Sequence, residues 1–85
     1  MREARVMVWL KQDVLDPQGR TINEALQGLG YGFVEDVRQG KAFHIKLKDR
    51  GLDEKKMLAS LEEMSKRLLS NPVIEDFTIE LLQKS

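Results

Sequence analysis

The fold of this chain is indicated first by a stretch near its start, Ala4-Arg5-Val6-Met7-Val8-Trp9-Leu10, whose aliphatic residues recur at every second position. A period of two that is rich in valine is typical of a β-strand with one face toward a core. A second alternating stretch runs from Ala42 to Lys48, and it places Phe43, Ile45 and Leu47 on one side. The two stretches predict two strands of one sheet.

A helix is predicted after each of these strands. Asp16-Pro17 favours a helix start, because Asp can accept hydrogen bonds from free N–H groups and Pro suits the first helical position. Gly30 predicts the end of that helix in a left-handed conformation. Asp53 favours the start of the second helix, and Asn71-Pro72 predicts its end. The predicted apolar stripes are Ile22, Ala25, Leu26 and Leu29 in the first helix, and Met57, Leu58, Leu61, Met64, Ser65 and Leu68 in the second.

Two further strands complete the predicted sheet. One spans Phe33 to Arg38 and leads through a tight turn, Arg38-Gln39-Gly40-Lys41, into the next strand. The other spans Ile74 to Leu81, and we expect a strand break at Arg50-Gly51 and a frayed end at Gln83-Lys84-Ser85. The resulting order is β-α-β-β-α-β, a pseudo-repeat with halves at about residues 4–38 and 42–81. This predicts a ferredoxin-like α+β fold, a two-layer sandwich with two helices on one face of an antiparallel sheet.

Composition limits the function classes. The chain has 85 residues, with 14 Lys and Arg against 14 Asp and Glu, and no Cys. This length predicts one domain over residues 1–85, and balanced charge provides no field to hold nucleic acid or anionic lipid. Disulfides and thiolate metal sites are excluded. Because the start resembles no signal peptide and no apolar run approaches about 18 residues, we expect a cytoplasmic protein without a membrane partner.

Residues for catalysis are missing from the pattern. The single His44 lies in a predicted strand, away from the serines that a nucleophilic relay would need. The carboxylates are scattered among lysines, and the loop from Lys11 to Gly19 carries one Gly where a phosphate loop needs several. RNA-binding domains of similar topology stack bases on two central strands, but alternation turns Phe43 toward the core. We expect no catalytic residues, no metal and no nucleic acid.

One surface of the predicted sheet is unusually apolar. Alternation places Met7, Trp9, Ala42 and His44 together on the face opposite the helices. In a two-layer fold that face meets water unless a protein covers it, and an exposed Trp beside Met is typical of an interface. We therefore predict that this outer face contributes to self-association.

The chain also resembles a known family at specific strings of sequence. These are Leu10-Lys11, Val14-Leu15-Asp16-Pro17-Gln18-Gly19, Ala25-Leu26, Leu29-Gly30-Tyr31, Val37-Arg38, Gly40-Lys41, Leu68-Leu69 and Asn71-Pro72-Val73-Ile74-Glu75. In this combination and spacing, from about Arg5 to Glu80, the chain resembles the PurS family, the small subunits of phosphoribosylformylglycinamidine synthase. Trp9 and His44 lie outside the family pattern. The motif residues are Asp16, Pro17, Gln18, Gly19, Gly30, Gly40, Asn71, Pro72 and Glu75.

The resemblance implies an assembly role without catalysis. Subunits of this family join a glutaminase subunit and a large synthetase subunit, which use ATP and glutamine-derived ammonia in purine synthesis. ATP and magnesium are then held by the synthetase, this chain holds no cofactor, and it forms homodimers or tetramers. Arg38 and Lys41, on a predicted exposed turn, are the expected partner contacts. Two alternatives remain: a stand-alone regulatory domain of similar topology that binds small molecules, and a small acylphosphatase-like enzyme.

Overall fold

The computed structural model describes residues 2–48, 51 and 53–82. Two predictions lie partly or wholly outside these residues. They are the strand break at Arg50-Gly51, of which Arg50 is outside, and the frayed end at Gln83-Lys84-Ser85. The elements, in order, are β1 (Arg2–Leu10), α1 (Pro17–Gly28), β2 (Gly40–Leu47), α2 (Glu54–Met64), a π-helical turn (Ser65–Leu69) and β3 (Glu75–Leu82). No helix within the described ranges is long and apolar enough to span a membrane.

The three strands form one antiparallel sheet in the order β2-β1-β3. The register places Val6 of β1 opposite Phe43 of β2 and Ile79 of β3, so the aliphatic residues of the alternating stretches share one face. Ala4, Val6 and Val8 are buried there. The predicted α+β class, with two helices and an antiparallel sheet, is confirmed.

Helix α2 covers the aliphatic face of the sheet. Met57 and Leu61 pack against Ala4, and Ile45, Leu47, Ile79 and Leu81 surround this cluster. The predicted stripe does not continue to Leu68, which is 84% exposed. The helix widens at its end, where the N–H of Ser70 donates to the carbonyl of Ser65, five residues back. This wider turn changes the angular position of each following side chain and moves Leu68 away from the sheet.

The strand predicted over residues 33–38 is wrong, and the sheet therefore has three strands instead of four. The segment follows no period of two, because Glu35-Asp36 interrupts it with adjacent acidic residues. Its carbonyl groups are bonded to side chains instead of a ladder: Gln27 donates to the carbonyl of Val34, and Asn23 to that of Glu35. The predicted tight turn between strands is consequently absent, and the halves 4–38 and 42–81 are not equivalent.

Helix α1 does not share the face that α2 covers, contrary to the prediction. Among its residues only Gly19 is buried, and Leu29 directly after it is 73% exposed. The radius of gyration is 16.4 Å, whereas a compact chain of this length has about 12 Å. The longest dimension of the molecule is 51 Å. Strand β1 is about 30 Å long and helix α1 about 18 Å long, so the two placed end to end account for nearly all of this dimension. Helix α1 and the returning segment 31–37 thus form an arm beyond the sheet.

Candidate functional site

Asp16 joins the base of the arm to the start of β2. Its carboxylate accepts from the backbone N–H of Gly19, at 2.9 Å, which caps α1, and from the N–H of Gln39, at 2.7 Å. The side chain is buried, with 6% exposure. The hydrogen bonds from Gly19 and Gln39, assisted by the charge of Arg38, hold the pKa of Asp16 below its ordinary 3.8 against the opposing effect of burial. The carboxylate is therefore ionised at neutral pH, and its charge strengthens both bonds.

Two glycines permit close approach at the same junction. A Cβ on Gly19 would meet the carbonyl oxygen of Val37 and the Asp16 carboxylate. A Cβ on Gly40 would meet the carbonyl oxygen of Val8. In both cases the obstacle includes backbone, which cannot rotate away as a side-chain end can. The glycines of the Asp-Pro-Gln-Gly and Gly-Lys strings therefore serve packing at the arm base and at the start of β2.

Arg38 closes the loop between β1 and α1. One guanidinium nitrogen donates to the carbonyls of Lys11, at 2.8 Å, and Val14, at 2.9 Å. Its position on a predicted exposed turn, with little structural need for it, predicts that Arg38 contacts a partner. The structure supplies that need, since these bonds tie the segment before β2 to the loop before α1. Lys41 has weaker local partners: its ammonium lies 4.0 Å from the Glu75 carboxylate and 5.8 Å from the centre of the Phe43 ring.

The string from Asn71 to Glu75 forms a closed turn between α2 and β3. The Glu75 carboxylate accepts from the N–H of Asn71 at 2.7 Å, and the Glu75 N–H donates to the carbonyl of Asn71 at 2.7 Å. The Asn71 side chain also accepts from the N–H of Val73. Pro72, which lacks an N–H, lies between these bonded residues and removes no bond from the turn. The predicted role of Asn71-Pro72 at the helix end is supported, although the helical turn itself ends at Leu69.

One cavity of about 230 Å³ is lined by motif residues from three distant parts of the chain, namely Asp16 and Gln18, Gly40, and Glu75. It lies at the end of the sheet where β1 finishes and β2 and β3 begin. Its polar lining includes Asp16, Gln18, Gln39, Lys41 and Glu75, and Gly40 forms part of its wall. Gly30 lies elsewhere, at the far end of α1, with the predicted positive φ of 101°. There the N–H groups of Gly30 and Tyr31 donate back to Gln27 and Leu26, which completes a Schellman motif.

The outer face of the sheet has the predicted composition. Met7 lies opposite Ala42, Arg5 opposite His44, and Trp9 opposite Gly40. Met7 is 47% exposed and Trp9 is partly exposed, and an open groove of about 420 Å³ runs beside them. Ion pairs between β1 or its end and β3 bound this apolar strip, namely Arg5–Glu80 at 3.0 Å and Lys11–Asp76 at 2.7 Å.

The arm and the residues at the two ends of α1 present a second apolar surface, and of its residues Ile22 and Leu29 belong to the apolar stripe predicted for α1. Its exposed large residues are Leu15, Ile22, Leu29, Tyr31 and Phe33. Tyr31 and Phe33 contact each other edge to face, with ring centroids 6.2 Å apart. An arm whose apolar residues meet water in the single chain is typical of a protein that completes its packing with another protein.

The chemistry available at these surfaces is that of binding. Among residues 2–48, 51 and 53–82, no three His, Asp or Glu side chains are grouped as a metal site would need. His44 lies exposed on the outer face, and the hydroxyl groups of Ser65 and Ser70 donate to the carbonyls of Leu61 and Ser65. The residues that sequence reasoning missed are Asn23, Gln27 and Gln39. The sequence pointed to them only indirectly, through the interrupted alternation of residues 33–38. A segment that does not join a sheet needs other hydrogen-bond partners for its backbone.

Comparison with known proteins assigns this architecture to a family. The family model described as PurS, phosphoribosylformylglycinamidine (FGAM) synthase, matches residues 3–83. A relative from Methanocaldococcus jannaschii, the PurS subunit of phosphoribosylformylglycinamidine synthase, is 43% identical over 81 residues, which are 95% of each chain.

Solved structures agree with that assignment. The crystal structure of Methanocaldococcus jannaschii PurS superposes with a TM-score of 0.86 at 40% identity, covering 100% of both chains. A chain in the structure of PurLQS from Thermotoga maritima has a TM-score of 0.84 at 26% identity, covering 95% of this chain and 96% of that one. The chain, matched in sequence and in fold over nearly its whole length, belongs to the PurS family of phosphoribosylformylglycinamidine synthase.

Proposed function

We propose that this protein is the non-catalytic small subunit of phosphoribosylformylglycinamidine synthase, which bridges a glutaminase subunit and an ATP-dependent synthetase subunit. The observation that carries this proposal is the full-length likeness to a chain of PurLQS from Thermotoga maritima, an assembly of PurS-type and other subunits. The exposed arm and outer sheet face support it, because both offer apolar surface for protein contact.

The chemistry of the complex is then divided among its chains. The synthetase binds ATP and magnesium and activates the amide of formylglycinamide ribonucleotide. The glutaminase releases ammonia from glutamine, and this subunit helps ammonia pass between the two sites without loss to water. No cofactor is assigned to this chain, whose described residues include no cluster of metal ligands. The proposed location is the cytoplasm.

Omitting this protein from the complex is expected to abolish glutamine-dependent synthesis while leaving synthesis from high ammonium intact. The reason is that ATP chemistry belongs to another chain, whereas delivery of ammonia depends on assembly. The measurement is the rate of formamidine production by the two large subunits, with and without this protein, from each nitrogen source. Equal glutamine-dependent rates in both mixtures would refute the bridging role.

The same mixtures test the alternative of a regulatory domain. A regulator would change the ammonium-dependent rate as well, and purified protein alone would bind an amino acid or a nucleotide in calorimetry. A bridging subunit changes only the use of glutamine and requires both large subunits for its effect.

The subunit, on this proposal, also associates with copies of itself as a homodimer or tetramer, through the outer sheet face that carries Met7, Trp9, Ala42 and His44. The open groove of about 420 Å³ beside Met7 and Trp9 supports such a contact. Arg38 and Lys41 are proposed contacts with the enzyme subunits, and both are exposed. For Arg38 this role is additional to its bonds with the carbonyls of Lys11 and Val14.

Trp9→Glu is expected to shift the protein toward monomer at micromolar concentration. An indole covers roughly 150–250 Å², and apolar burial contributes roughly 25 cal/mol per Å², so placing a carboxylate in that contact removes several kcal/mol of association. Sedimentation velocity measures the change. The matched control is Lys46→Glu, at the other end of the same face opposite Glu3. If Trp9→Glu and Lys46→Glu both sediment as the unmodified protein does, the outer face is not the contact.

A further inference from the structure

The arm is connected to the sheet at one place within the described residues. Beyond Gly19, no residue of α1 is buried, and the carbonyls of Val34 and Glu35 accept hydrogen bonds from the side chains of Gln27 and Asn23 of α1. The arm is therefore a unit in itself, whose direction depends on the junction at its base.

That junction contains four hydrogen bonds made by two side chains. Asp16 accepts from the N–H groups of Gly19 and Gln39, and Arg38 donates to the carbonyls of Lys11 and Val14. Three of these bonds join the segment that leaves the arm, which supplies the donors Arg38 and Gln39, to the segment that enters it, and the fourth, from Gly19, caps α1. Gly19 brings those segments into direct contact, because its missing Cβ leaves room for the carbonyl of Val37. We name Asp16, Gly19, Arg38 and Gln39 together the clamp.

We infer that the clamp fixes the direction of the arm relative to the sheet, and that Asp16 is a positioning residue for assembly of the synthase. This inference rests on the proposed bridging function. A subunit that bridges two enzymes must present the sheet face and the arm at a defined angle. If the arm samples many directions, only the competent fraction binds, and the apparent affinity falls by that fraction. An arm whose direction is already fixed in the free subunit loses less conformational entropy on binding, and its affinity for the partners is therefore higher.

Asp16→Asn tests the clamp with little effect on the helix cap. The carboxamide oxygen can still accept from the N–H of Gly19, but the amide nitrogen placed toward Gln39 is a donor and cannot accept. The matched control is Asp53→Asn, which alters the cap of α2, where the Asp53 side chain accepts from the N–H of Lys56, at 2.7 Å. Asp16 is 6% exposed, so the substitution changes little of the surface that a partner could contact.

The first measurement is the rate of glutamine-dependent synthesis as each variant is titrated into fixed large subunits. If the arm of Asp16→Asn keeps the competent direction about a tenth of the time, the half-saturating concentration rises about tenfold while the plateau rate is unchanged. Asp53→Asn should titrate as the unmodified protein does. An unchanged half-saturating concentration for Asp16→Asn would refute the positioning role. Failure of the bridging function itself is distinguishable, because the unmodified protein would then raise no glutamine-dependent rate.

The second measurement is the distance distribution between the sheet and the arm, and it requires no activity. The chain has one Trp and no Cys, so energy transfer from Trp9 to an acceptor on the introduced thiol of Leu29→Cys reports one distance. An excess of unlabelled Trp9→Phe protein suppresses transfer between copies. The distribution should be narrow in the unmodified protein and broader in Asp16→Asn and Arg38→Ala. If Asp16→Asn fails to fold, Arg38→Ala decides the question, and a narrow distribution in the folded variant overturns the clamp.

Discussion

Leu61→Ala is expected to lower the free energy of unfolding by about 2–5 kcal/mol, the range for removing a buried leucine side chain. Leu61 is fully buried, with 0% exposure, and it packs with Met57 against Ala4 at the contact between α2 and the sheet. Because α1 adds almost nothing to this core, few other residues can close around the cavity. A domain of this size has roughly 5–15 kcal/mol of stability, so the loss is a large part of the total.

Urea unfolding followed by circular dichroism measures this effect, with all variants at one chain concentration because self-association adds to stability. Leu68→Ala is the matched control, since the same side chain near the end of the same helical region is 84% exposed. We expect a change within about 0.5 kcal/mol for that control, as is usual for surface positions. Similar losses for Leu61→Ala and Leu68→Ala would mean that the π-helical turn does not rotate Leu68 outward.

Gly19→Ala is expected to destabilise the protein by about 1–3 kcal/mol, as overpacking of a tight contact does. The added methyl would meet the carbonyl oxygen of Val37 and the Asp16 carboxylate. Relief requires the arm base to open, which would lengthen the bond from Asp16 to Gln39. We expect this loss of stability although Ala has a better helix propensity than Gly, which by itself would stabilise the variant.

Gly28→Ala is the control for that propensity. Gly28 is the last residue of α1, and a Cβ there has no neighbour within 4 Å. We expect this variant to be unchanged or more stable by about 0.5–1 kcal/mol, the advantage of Ala over Gly in a helix. Thermal unfolding of the two variants side by side separates them. If the Gly19→Ala protein were as stable as Gly28→Ala, a Cβ at position 19 would fit beside the carbonyl of Val37 without strain, and the contact at the arm base would be less tight than described.

Local signals were sufficient for most of the elements. The alternation of Ala4 to Leu10 predicted β1 and its buried face, because a strand with one side toward a core must alternate. Asp16-Pro17 predicted the start of α1, and Gly30 its end, because caps are read from residues within one turn of the helix. The meeting of Met7 and Ala42 on the outer face likewise followed from the period of two once the register paired their strands.

Local signals could not predict contacts between residues that lie far apart along the chain. The clustering of Asp16, Gln18, Gly40, Lys41 and Glu75 around one cavity has no local signal, although each of them except Lys41 was singled out as a motif residue. The structural role of Arg38 has no local signal either, because its bonds to the carbonyls of Lys11 and Val14 span more than twenty residues.

The amino-acid sequence alone was enough to predict the three strands, the two helices, their caps and the membership of the family. These depend on the period of side chains along the chain and on hydrogen bonds within one turn, both of which a sequence displays directly. The three-dimensional structure was needed to show that residues 33–38 join the arm instead of the sheet, and that α1 leaves the core. Ile22 and Leu29 have the spacing of core residues. This spacing indicates that the helix has an apolar face, but it does not indicate whether this chain or another one covers that face. That choice depends on the junction at Asp16 and Gly19, where side-chain bonds and backbone contact set the direction of the arm.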